Sequence, residues 1–351
     1  MPAIEVEIPP ESLITKADFL TFPGKDVVRE IRGWIADGNP SFTWRGHTHT
    51  EPPANAPVEY VADFQLPKGR LTPCPCCWPK HEKFRTGRIA WFPDEYVIRL
   101  IGPNCFKTLN REGHERALAD MRARQQSEAD IAFLLSNREF LTPAISIVER
   151  ALPLAREIDR LQSFFTSAEQ RTPMVPDLWP HVRDGGMLKV SELRRTHSQS
   201  RSGQGDSRQQ EVLVQFASVD GYRMIEPRRK PLEPRLERAL RKLLSARFDV
   251  DINTLTDGER RETARAMNEG FRSAKDPLDE LSDVRRFLSA ASLGSIRRWG
   301  QTQGSAIGYY INRDGFHLQI GKSSQSVRRI EMDRAIDTAL PPLPNLIVPD
   351  F

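Results

Sequence analysis

The sequence predicts a multi-domain, helix-rich α+β protein, and three observations support this prediction. The chain has 351 residues, which is more than one domain usually contains. Helical and β-rich patterns both occur in several separate stretches. Three of the four cysteines lie within residues 74–77, which indicates a small cysteine module beside a larger mixed α/β region.

Residues 1–70 are predicted to form a small α/β segment. Apolar residues at helical spacing predict a helix over 24–38, which ends at a glycine. The run 58–66 has the pattern of a strand, and the proline-rich stretch before it is a predicted loop.

Residues 71–125 are predicted to form the cysteine module. Two β-rich runs over 87–102 are joined by Pro93-Asp94-Glu95, which favours a turn. A helix is expected to start near Asn104 and to run towards Arg124.

Residues 126–170 are predicted to form a helical connector with a heptad seam: Ile147, Ala151, Leu154, Ile158, Leu161 and Phe165. Pro153 predicts a kink or a break rather than one continuous rod. The seam is expected to pack on the body of the protein, and dimerisation through 143–168 is the alternative.

Residues 171–351 are predicted to form a mixed α+β domain. Two strand-like runs flank a polar insert, for which we expect a mobile loop over 195–210. Helices are predicted within 231–293, one of them starting at Pro277. Asp314-Gly315 predicts a hairpin turn within 307–321.

Composition sets broad limits on function. The net charge is only +4, so local clusters of charge are more informative than the total. No apolar run reaches the roughly 18 residues that a membrane span needs, and the first residues lack the pattern of a signal peptide. We therefore expect a cytoplasmic protein without a membrane partner.

The cysteines have the spacing of a metal site. In a reducing compartment disulfides are rare, and Cys76 and Cys77 are adjacent, which disfavours a bridge between them. Cys74 and Cys77 form a C-x₂-C pair, and Cys105 follows the predicted hairpin at the expected start of a helix. Thiolates in this arrangement favour Zn²⁺.

The order of knuckle, hairpin and cysteine at a helix start resembles a treble-clef or zinc-ribbon zinc finger over about residues 72–125. That resemblance implies a second ligand one turn along the helix, but Thr108 and Leu109 cannot serve. His81 is the first candidate for the fourth ligand and Cys76 is the second. His114, His47 and His49 are less favoured.

Other interpretations of the cysteines are weaker. Buried free thiols or a dithiol switch would fit the composition, but no thioredoxin-like βαβ pattern surrounds the pair. Zinc deaminases combine P-C-x-x-C with H-x-E, and no glutamate lies two residues after His47 or His49. The site is therefore predicted to be structural rather than catalytic.

Basic residues recur near aromatic ones, as in nucleic-acid-binding surfaces. The candidates for phosphate contact are Lys80, Lys83, Arg85, Arg229, Lys230, Arg238, Lys242, Arg297 and Arg298. The stretch 315–324 fails the Walker A spacing by one residue, so nucleotide binding there is not expected.

Three functions follow. The sequence favours a zinc-stabilised protein that binds DNA or RNA. A protein-interaction scaffold with a structural zinc ion is the second interpretation. The third is an enzyme acting on nucleic acid, but the sequence contains no defensible set of catalytic residues, so a binding role is favoured over catalysis.

Overall fold

The computed structural model describes residues 4–166, 174–197, 207–246 and 251–349. About 48% of the chain is helical and about 19% lies in three small sheets, so the predicted α+β class is confirmed. The chain divides into two compact units, Met1–Ala129 and Asp130–Phe351. The finer division into four segments stays a prediction.

Unit 1 contains one helix and one three-stranded antiparallel sheet, followed by the start of a long helix. The helices are α1 (Lys25–Ala36) and α2 (Arg111–Thr166), and the strands are β1 (Glu59–Gln65), β2 (Thr86–Phe92) and β3 (Val97–Ile101), in the order β1-β2-β3. A short 3₁₀ helix, Cys105–Thr108, lies between β3 and α2.

The sheet of unit 1 is buried on both faces. Ala90 and Phe92 of β2 belong to one apolar cluster, whereas Ile89 and Trp91 of the same strand belong to another. Alternate side chains point to opposite faces of a strand, so each face of the sheet supports its own core. This explains the apolar run 89–92 of β2 and the complete burial of β3, in which the one charged residue, Arg99, pairs with Glu95 at 2.8 Å.

Helix α2 continues without interruption from Arg111 to Thr166, although it contains Pro143 and Pro153. The chain therefore does not break at Pro153, and the alternative expectation of a kink there stays a prediction. A proline inside a helix costs about 3 kcal/mol through a lost hydrogen bond and a steric clash. The neighbouring Leu154 and Ala155 are completely or almost completely buried, and their packing compensates for that cost.

The heptad seam packs within the chain. All six of its residues are buried in the main apolar cluster of unit 2. The same helix also contains an 18-residue window that is apolar enough to cross a membrane by length and composition, with 33% of it buried. Core helices of soluble proteins pass the same test, so the window alone does not indicate a membrane protein.

Unit 2 combines further helices with two small antiparallel sheets. Its helices are α3 (Trp179–Val182), α4 (Glu233–Ser245), α5 (Asp257–Arg285) and α6 (Ala290–Gln301). One sheet pairs β4 (Met187–His197) with β5 (Ser207–Ser218), and the other contains β6 (Tyr310–Asp314), β7 (His317–Ser323) and β8 (Ser326–Glu331).

The structure confirms one local prediction for unit 2 and corrects another. The hairpin at Asp314-Gly315 is confirmed, with β6 and β7 antiparallel. Pro277 does not start a helix but lies inside α5, which begins with a capping box between Thr256 and Glu259. Of the predicted loop 195–210, both ends belong to strands, and residues 198–206 lie outside the described residues.

A buried ion pair connects α2 to the start of α4. Asp159 accepts hydrogen bonds from the backbone N–H groups of Leu232 and Glu233, at 2.7 and 2.8 Å. Its other oxygen lies 2.8 Å from the guanidinium of Arg229, whose side chain is 1% exposed. One carboxylate therefore caps a helix and neutralises a buried cation.

We expect Asp159→Asn to destabilise unit 2 by about 3 kcal/mol, because it removes the main counter-charge of a buried arginine. Chemical denaturation of the full chain measures this loss. Asp184→Asn is the matched control, since Asp184 is 80% exposed and its pairing with Arg183 is loose, at 3.8 Å. Equal effects of the two variants would contradict the assigned role of Asp159.

Candidate metal centre

The first half of the site is a tight loop at residues 74–78. The backbone groups of Cys74 and Trp78 exchange two hydrogen bonds, with N···O distances of 3.1 and 3.0 Å. A third bond runs from the N–H of Cys77 to the carbonyl of Cys74, at 3.3 Å. These bonds fold the C-x₂-C pair back on itself, so that both thiols reach the same side.

The second half comes from the residues that follow β3. The N–H of Cys105 donates to the carbonyl of Gly102 at 3.2 Å, which starts the short 3₁₀ helix. The N–H of Gly102 in turn donates to Sγ of Cys74 at 3.4 Å. A Cβ atom on Gly102 would lie only 2.5 Å from Sγ of Cys105. The absence of a side chain at 102 therefore makes room for the thiol.

Three of the predicted ligands converge. The Sγ atoms of Cys74, Cys77 and Cys105 all lie within 4.8 Å of one another. In a tetrahedral site with Zn–S bonds of about 2.3 Å, the sulfurs are about 3.8 Å apart. The sulfurs of Cys77 and Cys105 are closer still, at 3.3 Å. The three cysteines, called the thiol cluster below, are therefore close enough to hold one metal ion.

Crowding and burial keep these thiols protonated when no cation is bound. The hydrogen bond with Cys74, followed by burial, raises the pKa of Cys105. Desolvation and the contact with Cys105 raise the pKa of Cys77. Thiolates, not thiols, bind metals, so metal uptake must release protons from the cluster.

The two candidates for the fourth ligand lie in different surroundings. The thiol of Cys76 interacts with that of Cys74. The ring of His81 packs edge-on against the indole of Trp78, with 5.5 Å between the centroids. Neither side chain belongs to the set of three mutually close sulfurs.

Lys83 connects the thiol cluster to an exposed aromatic ring. Its Nζ lies 3.3 Å from Sγ of Cys77 and 5.5 Å from the centroid of the Trp78 ring. The hydrogen bond to Cys77 raises the pKa of Lys83, so its ammonium group stays charged. Trp78 itself is 45% exposed at the end of the loop.

Two buried histidines support the loop from behind, a role that sequence reasoning missed. Nδ1 of His47 accepts from the N–H of Leu100 at 3.2 Å, so its neutral ring carries the proton on Nε2. That nitrogen donates to Nδ1 of His49 at 2.8 Å, and Nε2 of His49 donates to the carbonyl of Pro79 at 2.8 Å. The relay connects β3 to the residue just after the loop. The alternation of histidines in "HTHT" was its one signal in the sequence.

The remaining histidine near the module has another partner. Nδ1 of His114 lies 2.7 Å from the hydroxyl of Tyr60. Both residues are almost fully buried within unit 1. His114 is therefore engaged in the core and does not point into the thiol cluster.

The predicted phosphate-binding residues have different environments. Lys80, Lys83, Arg85, Lys230, Arg238 and Arg298 are exposed. Lys242 pairs with Glu269 at 3.1 Å, and Arg297 donates to Asn312 at 3.0 Å. Arg229 is buried in its ion pair with Asp159, so its charge is already neutralised inside unit 2.

We expect Gly102→Ala to weaken metal binding by the thiol cluster, because the added methyl group occupies the position of the Cys105 thiol. Competition with a chromophoric chelator measures the loss. Gly33→Ala is the control, since a Cβ atom at that helical position meets nothing within 4 Å. Unchanged affinity in Gly102→Ala would contradict the assigned packing.

We expect the stability of unit 1 to fall as the pH drops below about 6.5. Burial lowers the pKa of both His47 and His49 in the folded state, so the unfolded chain binds protons first as the pH falls. For each of the two histidines, the free energy of unfolding falls by up to about 1.4 kcal/mol per pH unit, until the folded state is protonated too.

The pH dependence of unfolding free energy tests this relay. The double variant His47→Gln/His49→Gln separates its contribution from that of the thiols, and we expect a shallower acid slope in that variant. Identical slopes would show that the two histidines do not carry the effect.

No protein-family model matches the sequence. No curated protein matches it significantly. No solved structure matches it significantly either. The geometry of the site is therefore the evidence for function.

Proposed function

We propose that the protein is a zinc-stabilised nucleic-acid-binding protein whose cysteine module holds one structural Zn²⁺ ion and contacts the nucleic acid. The convergence of Cys74, Cys77 and Cys105 supports the metal. Soft thiolate ligands favour zinc over magnesium, calcium or manganese, and thiolate-rich sites are typically structural. Zinc would bring together the loop at 74–78 and the segment after β3.

Cys76 is our proposed fourth ligand. The side-chain hydrogen bond between Cys76 and Cys74 is the observation that favours it. The ring of His81 instead packs edge-on against Trp78. A site of four thiolates would carry a net charge of −2, which the nearby ammonium of Lys83 would partly offset.

The observation that carries the nucleic-acid proposal is the exposed indole of Trp78 at the end of the metal-held loop. A base can stack on such a ring, and every base offers a suitable face. Stacking of this kind favours unpaired bases, so single strands are the proposed ligand.

Cations in the same stretch of chain as Trp78 suit a phosphate backbone. Lys83 lies over the indole, and Lys80 and Arg85 are exposed in the same stretch of chain. Lysine and arginine bind phosphates chiefly by electrostatics, and they release counterions as they do so. We propose that the bases of a single strand stack on Trp78 while its phosphates bind Lys83 and the exposed cations of the same stretch of chain.

We expect the purified protein to contain one zinc ion per chain. Cys77→Ser should abolish binding and unfold the module, because the binding energy of a structural zinc ion is folding energy. Cys76→Ser should weaken zinc binding far more than His81→Ala. Mass spectrometry of metal content and chelator competition measure this. A folded protein without metal would contradict the zinc proposal, and a larger effect of His81→Ala would reassign the fourth ligand.

We expect Trp78→Ala to weaken binding to a single-stranded oligonucleotide by about 1–3 kcal/mol, the usual contribution of base stacking. Lys80→Gln and Arg85→Gln should each lower the slope of log K against log salt by roughly 0.7. Fluorescence anisotropy with labelled single-stranded DNA, single-stranded RNA and duplex measures both effects.

Lys25→Gln is the matched control, since Lys25 lies on α1 with a side chain that is 74% exposed. The absence of binding to any nucleic acid at low salt would refute the proposal. A stable protein partner that shields Trp78 would then support the scaffold interpretation.

A further inference from the structure

Residues 339–349, called the leucine segment below, contain a repeat that neither the metal site nor the proposed function uses. Leu340, Leu343 and Leu346 recur at every third position, and prolines occupy 341, 342 and 344. Polyproline II has three residues per turn, so residues at this spacing lie along one edge of it. The segment forms no helix or strand in the structure.

The leucine edge faces the core of unit 2. All three leucines are half-buried and pack against its main apolar cluster, whereas Pro341, Pro342 and Asn345 are exposed. Pro344 and Pro349 are half-buried too, so burial includes every leucine of the repeat but is not limited to the leucines. The segment has the one-sided packing of a proline-rich peptide in a groove.

Side chains of unit 2 bind the backbone at both ends of the segment. The guanidinium of Arg150 donates to the carbonyl of Ala339 at 2.9 Å. At the other end, the side-chain amide of Asn137 donates to the carbonyl of Ile347 at 2.8 Å and accepts from its N–H at 2.7 Å. Asn137 is fully buried, so these bonds satisfy an amide that has no access to water.

Both anchors lie on α2, and the segment runs antiparallel to it. The helix from Asn137 to Arg150 covers about 20 Å at 1.5 Å per residue. Residues 339 to 347 cover about 25 Å as polyproline II. The two lengths agree well enough for one nearly extended peptide to follow the helix from anchor to anchor.

The anchors recognise backbone, not the side chain at 347. Ile347 is 49% exposed and Val348 is 82% exposed, although both are apolar. Specificity therefore comes from the three leucines, and the amide of Asn137 fixes the register. Proline-rich peptides bind in this manner at a low entropic cost, because their conformation is largely preformed.

We propose that this face of unit 2 is a binding site for proline-rich peptides with leucine at every third position. The leucine segment occupies it within its own chain, and the same segment of a second copy can replace it. The site requires an occupant, because its removal would expose the leucine-binding surface and take two hydrogen bonds from the amide of Asn137, which would keep only the bond to the carbonyl of Phe133. High effective concentration favours the intramolecular occupant, and exchange between copies would give a reciprocal dimer.

The test starts from the folded full chain with a protease site inserted between Thr338 and Ala339. After cleavage, a fluorescein-labelled peptide of residues 339–349 is added, and its anisotropy is followed with unlabelled peptide as competitor. We expect the labelled peptide to exchange into the site and the competitor to displace it. A cleaved chain that unfolds, or that stays folded without exchanging the peptide, would refute the proposal.

Variants distinguish specific recognition of the segment from nonspecific hydrophobic binding. A Leu343→Ala peptide should bind about fourfold to tenfold more weakly, because it loses the contacts of a half-buried leucine. An Ile347→Ala peptide is the control and should bind like the wild type, since Asn137 contacts only the backbone there. Asn137→Ser in the cleaved chain should also weaken binding at least about tenfold. Equal affinities for all peptides would contradict the assigned register.

The second copy is tested by mixing. The full-length Asn137→Ser chain, whose own site is weakened, should donate its leucine segment to a cleaved chain that has been freed of its peptide. Size-exclusion chromatography with light scattering should show a 1:1 complex that excess free peptide dissolves. A peptide that binds without any such complex would overturn the exchange between copies.

Discussion

The cysteine module depends on one electrostatic constraint, the convergence of three thiols in a small volume. Charged thiolates repel each other at the distances found among Cys74, Cys77 and Cys105, and burial opposes their ionisation. Protonated thiols relieve the repulsion, and a divalent cation relieves it more effectively while bonding to each sulfur. The loop and the segment after β3 are thus held in an arrangement whose natural complement is a metal ion.

The surroundings of the thiol cluster are built to keep it in position. The N–H of Gly102 meets the sulfur of Cys74, and the missing side chain at 102 admits Cys105. Behind the loop, the neutral pair His47 and His49 transmits a chain of hydrogen bonds from β3 to Pro79. All four ring nitrogens of these two histidines have a hydrogen-bond partner, as a rigid support requires. The loop that carries the exposed Trp78 is therefore held in place by hydrogen bonds.

Unit 2 uses its long helix for a different purpose. One face of α2 supplies apolar side chains to the core, and polar residues on the same helix bind backbone from elsewhere in the sequence. Asp159 caps α4, and Asn137 holds the backbone at Ile347. Such contacts define where separate segments meet. Apolar packing alone specifies these positions less strictly. The helix continues through Pro153 because the burial of neighbouring apolar side chains outweighs the hydrogen bond that the proline removes.

The sequence by itself determined the α+β class, the hairpins and the three cysteines that meet, because these follow from local spacing: turns, alternation and the C-x₂-C pair. Only the tertiary structure decided which residues surround them. It buried Arg229 with Asp159, 70 positions away, and paired His49 with a carbonyl 30 positions away. Contacts at such separations depend on how whole helices and strands pack. The residues next to each partner in the sequence therefore contain no signal that predicts the contact.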